Sequence, residues 1–190
     1  MWTLALLAAC AGHADPAGPA DLQAEGVVLS LPSGTELAAE SASIGPEGKG
    51  TAQTVLARDG SLEIEAPHTE WDLKTRTARL SGGVVAKRGD VVLRCAEMTV
   101  LFSGPGRVER AVAAGDVRIA HGDRRGQAGH AVLTTKDGRI VLTKSPVLVD
   151  GSNRMSGAKI VLHMDEDKVI CDQCRVRIAP EAVAPGAGSQ

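Results

Sequence analysis

Aromatic residues are almost missing from this chain. Its 190 residues include one Phe, two Trp and no Tyr, although 43% of the residues are hydrophobic. The apolar volume of a core must therefore come from Val, Leu, Ile and Ala. The 22 Gly and 9 Pro favour many turns and short strands. The length fits one domain with tails.

The chain also has no excess of basic residues. The chain has 21 Lys and Arg against 23 Asp and Glu, which gives a formal net charge of −2. Such a balance provides no positive field for a nucleic-acid backbone. We therefore expect no nucleic-acid partner.

Motifs for catalysis or metal binding are missing as well. The sequence contains no H-E-x-x-H pair, no Walker loop, no G-x-S-x-G and no dinucleotide-binding fingerprint. The acidic residues fall mostly in predicted turns, where solvated carboxylates are ordinary. We therefore expect no enzyme activity, no catalytic residue, no metal site and no cofactor. The histidines are scattered along the chain: His13, His68, His121, His130 and His163.

Two of the four cysteines form a C-x-x-C motif, Cys171 to Cys174. A thioredoxin-type pair belongs at a helix N-terminus, and no helix is predicted here. A zinc site needs four ligands, and only Cys95 and a stray histidine could supplement the pair. We favour a local disulfide in an oxidising compartment, with free thiols or a metal or redox site as alternatives. Cys95 is expected to be buried in a strand.

The N-terminus carries a short apolar run, Trp2 to Ala9. This run is too short to span a bilayer as a helix and is typical of the end of an export signal. Residues 7–10, Leu-Ala-Ala-Cys, resemble a bacterial lipobox, in which Cys10 would be lipidated and would anchor the protein to a membrane. Cleavage after a small-x-small site at residues 12–14 and a buried N-terminal strand are the alternatives. We expect a signal in residues 1–10, a tether in 11–23, a β domain in 24–178 and a disordered tail in 179–190.

The hydrophobic pattern between these ends has a period of two. Ile160, Leu162 and Met164 share one predicted face, with Lys159, Val161 and His163 opposite. Asp-Gly dipeptides at 59–60 and 137–138 are hairpin signals, because glycine accepts a positive φ. The stretch GTELAAESASI, 34–44, is consistent with a helix or with a polar-faced strand. The chain as a whole is predicted to be all-β.

A repeat organises the strands. Gly82, Val84 and Gly89 recur 33 residues later as Gly115, Val117 and Gly122, and a looser copy ends at Gly151. Each copy is followed by a second aliphatic strand, so one unit is a strand pair. Such a pair cannot bury its apolar face alone, and successive units must stack. The repeat predicts a sheet that folds over on itself.

The region from Leu80 to Val169 resembles the LptA/OstA-like family of periplasmic lipopolysaccharide-transport proteins. The resemblance rests on A-x-G-x-V at 113–117, on Ala128 and Ala131, and on the stretch SPVLVDGSNRMSGAKIVL at 145–162. LptC-like proteins share the fold and remain an alternative. The resemblance implies a V-shaped or jelly-roll antiparallel sheet that is open at both ends.

The resemblance also implies a function without catalysis. The family carries lipopolysaccharide with its acyl chains against an apolar interior, and its domains join by pairing of edge strands. We place the two edges at 26–31 and 174–178. A structural β-solenoid that assembles without a lipid ligand is the alternative. From alternation we select as groove-wall residues Val117, Ile119, Leu133, Ile140, Leu142, Val149, Ile160 and Leu162.

Overall fold

The computed structural model describes residues 22–30, 36–59, 62–104, 107–164, 166 and 168–178. The predicted export signal, the lipidation of Cys10, the tail 179–190 and most of the tether lie outside these ranges. All regular structure in the described residues is strand, which confirms the all-β prediction and resolves 36–44 as a strand. No described segment is a helix able to cross a membrane.

The described residues form fourteen strands. The strands are β1 Leu22–Ser30, β2 Glu36–Ile44, β3 Lys49–Asp59, β4 Leu62–Asp72, β5 Thr77–Arg88, β6 Val91–Gly104, β7 Arg107–His121, β8 Arg124–Thr134, β9 Arg139–Thr143, β10 Val147–Asp150, β11 Asn153–Ser156, β12 Lys159–His163, β13 Lys168–Asp172 and β14 Arg175–Arg177.

These strands form a single antiparallel sheet in chain order. The path runs β1-β2-β3-β4-β5-β6-β7-β8-β10-β11-β14, and β9, β12 and β13 continue from the other end of β8. One half of β8 pairs with β9 and the other half with β10. β9 with β10, β11 with β12, and β13 with β14 are therefore long strands that are each interrupted once. Each long strand pairs antiparallel with the next long strand along the chain, so the connections between long strands are hairpins.

The interruptions lie on a line that crosses the whole sheet, which we call the fold line. The pairing register shifts between Ser81 and Val84 in β5 and between Ala114 and Val117 in β7. Such shifts are β-bulges, which bend a strand and increase its twist. Every second long strand has residues with positive φ on this line: Gly26, Thr54, Gly82, Gly83, Gly115, Asp116, Lys144, Ser145 and Gln173.

The sequence repeat corresponds to this bend. The first glycine of each clear copy, Gly82 or Gly115, lies at the bulge, with φ of 89° and 74°. The second glycine, Gly89 or Gly122, lies at the following hairpin turn, with φ of 58° and 55°. Left-handed backbone is available to glycine without a Cβ penalty, so the spacing of seven residues encodes the distance from bend to turn.

The fold line divides the sheet into two halves. Half-sheet A contains 22–25, 41–44, 49–53, 68–72, 77–81, 97–104, 107–114, 130–134, β9, β12 and β13. Half-sheet B contains 27–30, 36–39, 55–59, 62–66, 84–88, 91–94, 117–121, 124–127, β10, β11 and β14. One buried cluster contains residues of both halves, including Leu142 of A and Leu148 of B. The sheet is therefore folded over with its apolar faces inside.

A glycine allows close packing between the halves. A Cβ on Gly126 of half-sheet B would lie 3.4 Å from Cδ1 of Leu142 in half-sheet A. Leu142 is fully buried and Gly126 is buried beneath it. The missing side chain thus gives the leucine room in the core.

The sheet ends in free strands at both sides. β1 pairs with β2 alone, β13 with β12 alone and β14 with β11 alone in the described chain. Val28 in β1 and Val176 in β14 are 70% and 53% exposed. A free edge has unpaired N–H and C=O groups that can template pairing with another chain.

Candidate functional site: the inner face of the folded sheet

Two rows of side chains on the inner face of half-sheet A run perpendicular to the strands. Directly paired residues lie on the same face of a sheet, so the register defines each row. One polar hydroxyl interrupts the aliphatic character of the second row. The first row contains Ile44, Gly50, Trp71, Ala78, Val100, Ala111, Leu133, Ile140, Leu162 and Val169, and the second contains Ala42, Ala52, Thr69, Leu80, Met98, Ala113, Ala131, Leu142, Ile160 and Cys171.

These rows form a continuous surface. Each crosses ten strands at a spacing of about 4.8 Å, so the surface extends about 40 Å from β2 to β13. Inner side chains of half-sheet B face it, and one row of them has Ile64, Leu93, Ile119 and Leu148 among its buried members. Apolar side chains offer no directional bonds, so this surface can hold apolar matter without fixing its position.

The structure places seven of the eight predicted groove-wall residues on the inner face. Six are buried, with exposed fractions of 0–7%, and Leu133 is partly buried against the same core. Contact of these residues with a lipid stays a prediction. The seven are Val117, Ile119, Leu133, Ile140, Leu142, Ile160 and Leu162.

Val149 is the exception, and its placement on the groove wall is wrong. The register pairs it with Arg125 and Arg154 on the outer face, whereas its neighbour Leu148 is 4% exposed on the inner face. The run from Pro146 to Val149 is apolar at every position. Alternation therefore does not identify the buried face there, and only the pairing with β8 does.

Small residues on the inner face were missed by the selection from alternation. Ala113 and Ala131 lie side by side in the second row and are 2% and 1% exposed. Both alanines are among the residues on which the family resemblance rests, but the small volume of their side chains gave no reason to select them as groove-wall residues. Met98 and Val100 in β6, which are 3% and 1% exposed, were also missed.

Thr69 is a polar residue in this apolar surface. Its side chain is 7% exposed, and its Oγ1 has no hydrogen-bond partner among the described residues. A buried hydroxyl without a partner costs about 1–3 kcal/mol. Its register partners Ala52 and Leu80 are both apolar. The inner face thus contains one hydroxyl available to a polar group.

The halves are closely packed at the β9–β12 end. The free space enclosed there is about 10 Å³, about the size needed for one water molecule. Ile119 and Leu148 of half-sheet B line it together with Leu162 and Val169 of half-sheet A. A ligand could enter this part only if the half-sheets moved apart.

Cys95 and Cys171 contribute to the core, and the described cysteines show no reactive thiol. Cys171 and Cys174 form a disulfide, with Cα atoms 5.9 Å apart, at the interruption between β13 and β14. Cys95 lies in β6 and is 6% exposed, and burial raises the pKa of its thiol to about 11. Such a thiol is protonated at neutral pH and is a poor nucleophile.

The described histidines and acids do not converge. No group of three His, Cys, Asp or Glu side chains in the described ranges could hold a metal ion. His121 lies 3.3 Å from a carboxylate oxygen of Asp90 at a hairpin end, and His130 contacts the Thr143 hydroxyl at 3.3 Å. Each of these contacts involves a single neighbouring side chain.

Charged side chains form a network on the outer face of half-sheet B near β3 to β5. Lys87 Nζ lies 3.0 Å from Glu63 and 3.1 Å from Glu65, and Arg58 Nε lies 3.1 Å from Glu63. The hydrogen bond from Lys87, followed by that from Arg58, lowers the pKa of Glu63. The hydrogen bonds to Glu63 and Glu65 raise the pKa of Lys87. Both signs of charge are balanced in this part of the sheet.

The fold and the inner face define a class of protein: an open, folded-over β-sheet whose candidate binding surface is an aliphatic lining. The family model described as LptA/(LptD N-terminal domain) LPS transport protein matches residues 63–168, which is more than half of the chain. The chain belongs to this family, and the resemblance seen in its sequence is confirmed. The family's role is lipopolysaccharide transport.

A solved structure has the same fold. It is LptH from Pseudomonas aeruginosa, described as the LptA homologous periplasmic component of the conserved lipopolysaccharide transport device. The two chains are 17% identical with a TM-score of 0.58, and the match covers 63% of this chain and 95% of LptH. No curated protein sequence matches this chain.

Proposed function

We propose that this protein is a non-enzymatic periplasmic bridge component that shields the acyl chains of lipopolysaccharide between the inner and the outer membrane. The observation that carries the proposal is the pair of apolar inner rows that cross ten strands of half-sheet A, in which Thr69 is the one residue with a hydroxyl. Membership of the lipopolysaccharide-transport family supplies the substrate class. The periplasmic location is proposed from the likeness in fold to LptH, which is a periplasmic component.

The energetics favour a lining of this kind. Exposing one CH₂ group to water costs about 0.8 kcal/mol, so an acyl chain of about a dozen carbons costs about 10 kcal/mol. A carrier must keep the apolar surface of each acyl chain away from water along the whole route. Contacts between the half-sheets are aliphatic, and an acyl chain that separates the halves replaces them with contacts of the same chemistry. The exchange is therefore close to neutral in hydrophobic free energy.

The open edges support a bridge made of several domains. β1 ends the sheet on one side and β13 with β14 on the other, so a neighbouring sheet could add to either edge by β-augmentation. The inner rows run from β2, which lies next to the β1 edge, to the edge strand β13. Joining another domain of this family, or a second copy head to tail, would extend the lining without a gap.

Photo-crosslinking from adjacent positions tests the lipid contact. A photoreactive residue at Leu142 faces inward, whereas one at Val141 lies on the outer face of the same strand and is also aliphatic. In cells that synthesise lipopolysaccharide, we expect label on lipopolysaccharide from position 142 and none from position 141. Ile160 and Val161 provide a second matched pair on β12.

A structural β-solenoid without a lipid ligand is the second candidate. The close packing of the half-sheets at the β9–β12 end favours it, because a permanently closed core needs no cargo. Equal labelling from inner and outer positions, or no labelling from a folded protein, would support this candidate against the carrier.

A further inference from the structure

The outer face of half-sheet B carries a concentration of arginines toward the C-terminal edge, which we call the arginine face. The register places its members in two neighbouring outer rows, and each is exposed. The net charge of the chain is −2, so this local excess of positive charge is not a property of the whole sequence. The members are Arg94, Arg118, Arg125, Arg154, Arg175 and Arg177.

Two pairs of these arginines lie directly opposite each other. Arg94 is the register partner of Arg118, and Arg154 is the register partner of Arg177. Like charges at directly paired positions destabilise a sheet. Stability of the isolated fold therefore does not explain the arrangement.

Few of the charges are neutralised within the described chain. Arg118 pairs with Asp116 at 2.8 Å, and Arg125 donates to the carbonyl of Gly122. No described carboxylate lies within ion-pair distance of Arg94, Arg154, Arg175 or Arg177. By contrast, Lys87 on the same face forms ion pairs with two carboxylates, those of Glu63 and Glu65.

The residues between the arginines indicate the kind of partner. Val147 and Val149 lie on the same face and are partly exposed, as are Val85 and Val92. Protein interfaces are enriched in Tyr, Trp and Phe, and these two rows contain none on β6 to β14. Guanidinium groups match the geometry of phosphate, and arginine with aliphatic neighbours suits the boundary between headgroups and acyl chains.

We propose that the arginine face docks the protein on a membrane surface that contains anionic phospholipids. Docking through this face leaves the inner face and the edge N–H and C=O groups free. The proposal goes beyond the carrier function and does not depend on it, because it uses the opposite face of the sheet. Each basic residue close to an anionic membrane strengthens binding about fivefold.

Vesicle sedimentation tests the docking. The full chain would carry Cys10→Ala throughout, so that no acyl anchor contributes, and would be mixed with vesicles of phosphatidylcholine with or without phosphatidylglycerol. We expect binding to the phosphatidylglycerol vesicles alone, weakened by added salt. The double variant Arg154→Gln/Arg177→Gln should bind about 25-fold more weakly.

The matched control is Arg79→Gln/Arg110→Gln, which removes two exposed arginines from the outer face of half-sheet A. This control should bind like the unchanged protein, and both double variants should unfold cooperatively. Equal binding by the Arg154/Arg177 variant and the control would overturn the proposal. Displacement by low concentrations of inorganic phosphate, or binding to polyglutamate with no vesicle binding, would also overturn it, in favour of a phosphate site or an acidic protein partner.

Discussion

Gly115 shows how a single residue controls the bend of the sheet. Its φ is 74°, and a Cβ added to it would lie 2.8 Å from Cβ of Ala96 on the neighbouring strand. Both the backbone conformation and the space therefore require glycine. Gly122, at the turn that follows, has φ of 55° but no atom within 4 Å of an added Cβ. A side chain at position 115 would meet both backbone strain and a steric clash, whereas a side chain at position 122 would meet backbone strain alone.

Gly115→Ala should accordingly destabilise the protein more than Gly122→Ala. We expect a loss of about 2–4 kcal/mol in the free energy of unfolding for the first change, since steric contact adds to backbone strain, and about 1 kcal/mol for the second. Urea denaturation of both variants measures the difference. Equal losses would show that Ala96 moves aside freely and that the bulge does not constrain the fold.

The residue types on the fold line determined which of its bends could be predicted from the sequence. Gly82 and Gly115 revealed their bulges because glycine at a regular spacing is a recognisable signal. Thr54 and Lys144 occupy equivalent positions on the fold line with φ of 51° and 60°, but their residue types give no such signal. Val149 was misplaced because the sequence from Pro146 to Val149 is apolar at every position, so alternation does not show which residues face inward. The missing information in each case is the pairing with a neighbouring strand.

At the scale of elements, the repeated strand pair could be predicted well. The period of two and the Asp137-Gly138 turn gave the hairpins, and the glycine spacing gave the stacking of units. The division of three long strands at the fold line could not be predicted, because residues 144–146, 157–158 and 173–174 share no motif. The disulfide between Cys171 and Cys174 lies at the last of these divisions. It links the end of β13 to the start of β14.

The C-terminal edge strand offers a test of assembly. Adjacent N–H groups of a strand point in opposite directions, so either Arg175→Pro or Val176→Pro removes a donor that faces away from β11. We expect one of these variants to keep a cooperative thermal transition and to lose head-to-tail association or binding of a partner domain. Val176→Ala, which keeps its N–H, is the matched control and should associate normally.

Size-exclusion chromatography with light scattering, alongside thermal unfolding, measures both properties. If both proline variants fold and still associate like the unchanged protein, β14 is not the junction. The proposed bridge would then have to use β13 or another surface.

At the scale of the whole molecule, the two faces of half-sheet B have different chemistry. The inner face contributes buried aliphatic residues such as Ile119 and Leu148. The outer face carries arginines near the C-terminal edge, of which Arg154 and Arg177 have no described carboxylate within ion-pair distance. The open sheet leaves its outer face and both edges accessible to different partners. A closed barrel of the same strands would have no such edges.

The close packing of the half-sheets at the β9–β12 end bears on the carrier function. A dry core and a lipid groove have the same aliphatic residues, so neither composition nor burial separates them. They differ in whether the half-sheets part to accept an acyl chain. Hydrophobic free energy permits that exchange, because one apolar contact replaces another.

The most direct test of the carrier function is whether the protein holds a glycolipid when it is taken from cells. The full chain would be purified from the envelope of a Gram-negative host that makes lipopolysaccharide, and the bound lipid identified by native mass spectrometry. The proposed function predicts lipid A species bound to the folded protein and absent from an unrelated periplasmic protein purified in parallel. A folded, assembled protein that carries no glycolipid above that background would contradict it.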